Sequence, residues 1–282
     1  MHITAKLAAL AAAAALPLAM ASTASAAPAV PHPVFWHPST IRPASTGARY
    51  YAEGEAGYVA GGAQFRLTAE SAYLRNPAQY AAITDNVGEG DLLAQDEESG
   101  WQISIGVSEA TSGGTVYNPA FFVFKGSTQK SGPYTNDTWC PAGGSCAPLT
   151  DTDGFAVGDT VHQSIYYDQA TGDVQYSATD AAGNSAHGSY SVGKGVSFSI
   201  GLPVSFWDPD VFTAPAATTK LFSFSSVALT TYSGSHSGLS SWFSHSKVIA
   251  TSDGTPTGTV QGVPSDLGSN GSSFSTTFEP AS

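Results

Sequence analysis

The chain has 282 residues, of which 22 are Asp or Glu and 10 are Lys or Arg, so its formal net charge is −12. This length suits one large domain or two small ones. The acidic excess argues against binding to nucleic acid or to an anionic membrane, because both partners require a basic patch that displaces counterions.

Residues 1–26 have the pattern of a secretory signal peptide. Lys6 gives a basic start, the run from Leu7 to Met20 is mostly Ala and Leu, and Ala24-Ser25-Ala26 resembles a cleavage site. The apolar run is shorter than the roughly 20 residues that a membrane-spanning helix needs. We therefore predict that residues 1–26 are removed, and that the mature protein is secreted, extracellular and not embedded in a membrane.

Residues 27–49 contain five prolines. Proline fixes φ, lacks a backbone N–H and restricts the residue before it, so this segment is predicted to be extended rather than helical. The folded domain is expected to begin near Tyr50.

Residues 50–232 show the pattern of a β-sandwich domain. Segments such as 64–70 and 101–107 place apolar residues at every second position, which is typical of half-buried strands. The clearest hairpin is predicted at 161–176, with its turn at 168–173. Because no helical segments alternate with these strands, a parallel βαβ sheet is disfavoured. We predict an all-β fold in which two antiparallel sheets form a sandwich.

From residue 233 the composition shifts to Ser, Gly and Thr. The stretch 239–249 is amphipathic and suits a short helical turn that docks on the domain, but the residues after 250 offer few apolar anchors. Such a segment cannot bury enough apolar surface to offset its ordering entropy. We therefore predict that residues 233–282 are largely disordered.

Cys140 and Cys146 are the two cysteines of the chain. The residues between them include a proline and two glycines, so the chain can turn back and bring the sulfur atoms together. In an oxidising compartment a disulfide is the default state of such a pair. A zinc site would need two more ligands, and no Cys or His stands at metal spacing nearby. We predict a disulfide, no metal site and no cofactor.

The acidic residues cluster at four places, and none of these shows the alternation of a strand. Sandwich glycosidases need two carboxylates on one strand face, because the two groups must flank a glycosidic bond. Here Gly, Pro or further acids surround each cluster, which predicts solvated loops at 53–55, 89–91, 96–98 and 208–210.

Three aromatic residues are candidates for a sugar-binding platform, because a ring offers a large apolar surface to a ligand. They are Trp101, Tyr117 and Trp207. The competing interpretation is that these rings belong to the core of the sandwich.

Several stretches resemble the glutamic peptidases (eqolisins). They are the opening 56–62 followed by 65–70, the Gly106-Val107-Ser108 after an apolar strand, the Gly158-Asp159-Thr160-Val161 start of a strand-hairpin-strand unit, and the late strand 222–229. The resemblance implies the lectin-like sandwich of that family, a concanavalin A-like jelly roll of two antiparallel sheets.

The resemblance also implies endopeptidase activity at acid pH by a Gln–Glu pair. In that chemistry the carboxyl group acts as general acid and base on a water molecule, and the amide binds the oxyanion of the tetrahedral intermediate. The family's Gln precedes Gly-Val by two positions, where this chain has Ser104, and Gln102 lies one step earlier on the same strand face. The strand 199–206, which should hold the Glu, contains no acid. The alternative catalytic pair is therefore Gln102 with a displaced Glu such as Glu70.

Two functions are open on this sequence. The first is a secreted, monomeric sandwich protein without a recognisable catalytic site, which binds extracellular polysaccharide or polypeptide on its concave face. The second is an acid-acting glutamic-type endopeptidase that uses Gln102 and Glu70. A structural role at the cell surface, through the Ser- and Gly-rich tail, is a third possibility for which the sequence offers no motif.

Overall fold

The computed structural model describes residues 46–54, 64–73, 89–96, 99–109, 116–126, 128–132, 134–156, 158–198, 200–207, 219–231, 234–239, 246–253, 260–269 and 271–280. The predicted signal peptide and most of the proline-rich segment lie outside these ranges. The first strand of the described residues starts at Thr46, so residues 46–49 of the predicted extended segment belong to a strand.

The described residues form eighteen β-strands. The first nine are β1 (Thr46–Gly54), β2 (Gln64–Tyr73), β3 (Glu89–Asp96), β4 (Trp101–Glu109), β5 (Val116–Lys125), β6 (Thr128–Ser131), β7 (Thr138–Cys140), β8 (Ala147–Pro148) and β9 (Phe155–Ala156). The other nine are β10 (Thr160–Asp168), β11 (Asp173–Asp180), β12 (Ser185–Ser191), β13 (Ile200–Trp207), β14 (Thr219–Thr231), β15 (Gly234–Ser237), β16 (Ser246–Asp253), β17 (Val260–Pro264) and β18 (Phe274–Pro280). Within this part of the chain there is no helix with the length and apolar character needed to cross a bilayer.

The strands are arranged in two sheets, which we call sheet A and sheet B. Sheet A has the order β16-β1-β13-β3-β4-β5-β6, with β9 beside β5, and sheet B has the order β17-β18-β14-β2-β10-β11-β12-β7-β8, with β15 beside β14. The neighbouring strands pair antiparallel, and late strands return to lie beside early ones, as in a jelly roll. The predicted all-β fold with two antiparallel sheets is confirmed.

The hydrophobic core lies between the two sheets. Along β4 the alternate residues Trp101, Ile103 and Ile105 face it, as the period-two pattern predicted. The rings of Phe121 in sheet A and Tyr176 in sheet B are 4.9 Å apart, and such aromatic pairs stabilise a core beyond the area that they bury. These contacts hold the sheets face to face.

The predicted hairpin is confirmed as β10 and β11, which pair from Val161–Asp180 to Asp168–Asp173. Its turn requires Gly172, whose φ is +85° and whose absent Cβ would lie 2.6 Å from the carbonyl carbon of Gly193. The turn therefore packs directly on the chain that follows β12.

The predicted disulfide between Cys140 and Cys146 is also confirmed. It closes the exposed turn between β7 and β8. The backbone N–H of Ala142 in this turn donates a hydrogen bond of 2.8 Å to Oδ1 of Asn184. The disulfide loop is thereby joined to the turn between β11 and β12.

The C-terminal segment differs from its prediction, since residues 233–282 contain four strands instead of being largely disordered. Strand β16 extends sheet A by pairing with β1, and β18 extends sheet B by pairing with β14. The stretch 246–249, predicted to continue a helical turn, belongs to β16.

The physical reason is that a strand added to a sheet edge gains backbone hydrogen bonds whatever its side chains are. A few apolar anchors then suffice to hold it. Leu239 is fully buried, and the ring of Phe274 stacks on that of Phe224 at 5.1 Å.

The two sheets differ on the faces that point away from the core. In sheet A the outward-facing Leu93, Phe122 and Phe124 are all buried. In sheet B the outward-facing Arg66 and Gln175 are exposed, and most of their neighbours on this face are polar. Among the side chains that the structure describes, those on the outer face of sheet B therefore form an open, polar surface.

Candidate functional site

The predicted catalytic pair is not brought together. Gln102 lies in β4 of sheet A and is 2% exposed. Glu70 lies in β2 of sheet B, where its backbone pairs with His162 and Ser225. Because the two residues belong to different sheets and Gln102 faces away from sheet B, this pair does not form one site.

The predicted aromatic platform is not assembled around Trp101. This residue is 8% exposed and faces the core, where its ring is 5.9 Å from that of Tyr190 and 5.1 Å from Nζ of Lys125. Tyr117 and Trp207 lie in β5 and β13 of sheet A, and their side chains lie outside the described part of the structure.

Gln102 instead belongs to a buried polar cluster on the outer side of sheet A, which we call the Asp91 cluster. Its members are Asp91 and Gln95 of β3 and Gln102 and Ser104 of β4. Nε2 of Gln95 donates to Oε1 of Gln102 at 2.9 Å, and Oγ of Ser104 donates to Oδ2 of Asp91 at 3.2 Å. The cluster places one carboxyl group, one hydroxyl group and two amides on adjacent strands.

The strand register explains how the Asp91 cluster forms. Gln95 pairs with Gln102, and Asp91 pairs with Gly106, so all four side chains lie on one face. A Cβ atom on Gly106 would lie only 2.0 Å from Oδ1 of Asp91. Glycine at position 106 therefore makes room for the carboxyl group above the backbone of β4.

Sequence reasoning missed Asp91 and Gln95. The prediction of solvated loops is wrong at 89–91 and at Asp96, which all belong to strand β3, and Asp91 and Asp96 are each 5% exposed. Acidic residues beside Gly90 are typical of a turn, which explains the wrong prediction. The apolar residues Leu92 and Ala94 stand at alternate positions, and this alternation could have predicted the strand. Asp96 accepts a hydrogen bond of 3.2 Å from the backbone N–H of Ser197.

A second candidate site is an open groove of about 500 Å³ on the outer face of sheet B. We call it the sheet B groove. Its walls come from β2, β10, β11 and β12 and from the start of β7. The lining residues are Arg66, Asn136, Thr138, Ser164, Tyr166, Gln175, Tyr176, Ser177, His187, Gly188 and Ser189.

Strand register arranges eight of these residues in two parallel rows that cross the strands. The first row is Arg66, Tyr166, Gln175 and Ser189, and the second row is Ser164, Ser177, His187 and Thr138. Neighbouring positions within a row are separated by the strand spacing of about 4.8 Å. The groove is thus a grid of hydroxyl, amide, imidazole and guanidinium groups on a rigid sheet.

Among the described residues that line the groove, Arg66 is the one Lys or Arg, and there is no Asp or Glu. Its Cζ atom lies 4.5 Å from the centroid of the Tyr166 ring, a cation–π contact. The guanidinium has five N–H donors in a planar fork, and it carries a positive charge at any physiological pH. The groove therefore offers a positive, forked hydrogen-bond donor beside neutral polar groups.

Asp137 lies behind the groove, in the connection from β6 of sheet A to β7 of sheet B. Its Oδ1 accepts a hydrogen bond of 3.0 Å from the hydroxyl of Tyr176, and a Cβ on Gly188 would lie 2.3 Å from the same oxygen. Burial raises the pKa of Asp137 to about 7, and burial with the adjacent Asp137 also raises the pKa of Tyr176. In acid this carboxyl group is neutral.

Neither site has the composition of a metal centre. Among the residues that the structure describes, no group of three or more His, Cys, Asp and Glu side chains is placed to hold a metal ion. The Asp91 cluster offers acid–base chemistry, and the sheet B groove offers binding through many hydrogen bonds.

Comparison with known proteins identifies no family. No protein-family model matches the chain, and no curated protein matches it. Full-length tailspike protein 2 from Escherichia coli O157:H7 bacteriophage CAB120 is similar to 60% of this chain, with 10% identity and a TM-score of 0.32, and the matched part is 20% of the tailspike chain. The heptameric SAP-like pentraxin from Limulus polyphemus is similar to 58% of this chain and matches over 74% of its own, with 10% identity and a TM-score of 0.24. The chain spans about a fifth of the tailspike's length.

Proposed function

We propose that this is a secreted protein that binds an extracellular polysaccharide in the sheet B groove. The observation that supports this most is the grid of polar side chains in two cross-strand rows. A sugar chain presents several hydroxyl groups on each ring, and binding it requires donors and acceptors at fixed, repeated positions.

The geometry of the groove suits a chain-like ligand. Each row crosses several adjacent strands, so a sugar chain can lie across them and contact one strand after another. The strands are paired with their neighbours in sheet B, which holds the side chains in place before the ligand arrives and lowers the ordering cost of binding. Export of the protein is supported by the signal-peptide pattern of residues 1–26 and by the disulfide, which suits an oxidising compartment.

A polypeptide ligand fits the groove less well. Extended peptides bind sheets most often by adding a strand at an open edge. Strands β2, β10 and β11 have neighbours on both sides, and β12 pairs with β11 along its whole length and with β7 at residues 185–187, so most backbone groups of the groove are already paired. Side-chain contacts to a polyhydroxylated ligand are the better match.

Blocking the groove tests the proposal. Ser177 lies near its centre, and Ser177→Tyr is expected to fill it and reduce retention on an insoluble polysaccharide panel at least about tenfold, because each lost charged or buried hydrogen bond is worth about 1–3 kcal/mol. Thr128→Tyr places the same ring at an exposed position of β6 in sheet A and should bind like the wild type. Equal binding by both variants, or no retention of the wild type on any polysaccharide, would refute the proposal.

A second candidate function is acid-acting endopeptidase activity at the Asp91 cluster. The specific observation in its favour is a carboxyl group and amides on one face of adjacent strands, at Asp91, Gln95 and Gln102. Asp91 would act as the general acid and base on a water molecule, and an amide would bind the oxyanion. The cluster is almost fully buried, so a peptide would have to reach it through an opening, and we rank this function second.

Incubation of the purified mature protein with denatured casein, from acid to neutral pH, separates the two functions. We expect no cleavage. Cleavage that is lost in both Asp91→Asn and Gln102→Ala, with both variants folded, would establish the peptidase instead. Cleavage that survives both substitutions would point to a contaminating protease and leave the Asp91 cluster without an enzymatic role.

A further inference from the structure

Arg66 is placed differently from the other polar groups of the sheet B groove. It stands at the β2 end of the first row and is exposed, and its guanidinium is held against the Tyr166 ring at 4.5 Å. A cation–π contact restricts where the guanidinium can lie, which keeps its N–H donors beside the first row before any ligand binds. Such an arrangement prepares the donors for a planar acceptor.

No acid within the described part of the chain is paired with this cation. In the described structure Arg66 makes a cation–π contact with the ring of Tyr166. The residues that line the groove include no carboxylate. Asp168 lies two residues beyond Tyr166 along β10, but its Oδ1 accepts a hydrogen bond of 2.8 Å from the backbone N–H of Ala170 in its own turn. The local charge of the groove is thus opposite to the net charge of −12 of the whole chain, and a positive group that faces a lining without carboxylates points to an anionic ligand.

Resting on the proposed function, we propose that the sheet B groove selects an acidic polysaccharide whose uronate carboxylate is bound by Arg66. A carboxylate accepts two parallel N–H···O bonds from a guanidinium, which a neutral hydroxymethyl group cannot reproduce. The hydroxyl groups of the same ring and of the next ring would then meet Gln175, Ser177 and Ser189. The sugar chain would run across the strands, with its carboxylate over β2.

A matched pair of ligands tests charge without changing the sugar backbone. Polygalacturonate and its methyl-esterified form differ only in whether the carboxylate is ionised or esterified. By affinity electrophoresis, the wild type is expected to bind polygalacturonate about tenfold more tightly than the ester, the size of a charge-assisted hydrogen-bonded contact. This preference should decrease with added salt.

Variants assign the preference to Arg66. Arg66→Gln should bind polygalacturonate about tenfold more weakly and the ester unchanged, so that the preference disappears. Arg66→Lys keeps the charge but loses the fork, and should lie between the two. Lys130→Gln removes the same charge from an exposed position of β6 in sheet A and should behave like the wild type.

The outcomes distinguish this inference from the function on which it rests. Equal binding of both polysaccharides, lost in Ser177→Tyr, would overturn the charge selection and support the groove as a neutral glycan site. Equal weakening by Arg66→Gln and Lys130→Gln would overturn it in favour of a general charge effect. Binding of poly-glutamate but of no polysaccharide, again lost in Ser177→Tyr, would overturn both proposals in favour of an acidic peptide.

Discussion

Asp137 shows how a single buried side chain links the two sheets. It lies in the connection between sheet A and sheet B, is 2% exposed, and accepts a hydrogen bond from Tyr176 in β11. The hydrogen bonds from Tyr176 and from the backbone of Tyr134 lower its pKa, but burial outweighs both. Burying such a group as an anion is costly, which is why its pKa rises to about 7.

The raised pKa predicts that the contribution of Asp137 to the stability is larger in acid than at neutral pH. Between about pH 4 and pH 7 the folded state holds a proton on Asp137 that the unfolded state has released, so the free energy of unfolding falls as the pH rises. A change from 3.8 to about 7 corresponds to a loss on the order of 4 kcal/mol over this window. Urea denaturation at a series of pH values measures it.

Asp137→Asn is the variant for this measurement, because an amide oxygen can still accept the hydrogen bond from Tyr176. It should match the wild type in acid and lose most of the decrease toward pH 7. Asp151→Asn changes an exposed carboxyl group and should keep the wild-type profile. A difference in stability between the wild type and Asp137→Asn that stays constant between pH 4 and 7 would rule out this role for Asp137.

At the scale of elements, the C-terminal strands show that backbone pairing can order a polar segment. Strand β18 pairs with β14 on one side and with β17 on the other. Its first residue, Phe274, is 4% exposed and stacks on Phe224, so one aromatic ring joins the segment to the core. Strands β17 and β18 are thereby part of sheet B and not an appendage.

Phe274→Ala is expected to lower the free energy of unfolding by about 3 kcal/mol, the usual cost of removing a buried phenylalanine ring. Thermal or chemical denaturation measures the change. Asp266→Ala, at an exposed position of the connection between β17 and β18, should have little effect. If residues 233–282 were disordered, both substitutions would leave the stability unchanged.

At the scale of the whole molecule, the two sheets divide the roles of the sandwich. Sheet A carries buried side chains on both faces, including the polar groups of the Asp91 cluster. Sheet B is buried on one face and open on the other, as antiparallel sheets often are. The groove on this open face combines residues that are far apart in sequence, from Arg66 to Ser189, because β2 and β12 are separated by only two strands in the sheet.

The sequence by itself determined the features that depend on neighbouring residues. Period-two alternation predicted strands such as β4 and the hairpin of β10 and β11, and the spacing of Cys140 and Cys146 predicted the disulfide. It also placed Gln102 and Ser104 on one strand face. These predictions succeeded because side-chain direction in a strand alternates, and because a tight turn is encoded by its own residues.

The tertiary structure alone decided the features that depend on pairing between distant strands. Asp91 and Gln95 meet Gln102 and Ser104 only through the register of β3 and β4, and acids beside a glycine look like a turn when that partner is unknown. The two rows of the sheet B groove and the order of the C-terminal strands arise in the same way. Register and sheet edges are properties of the assembled sheets, since hydrogen bonds between strands carry no local sequence signature.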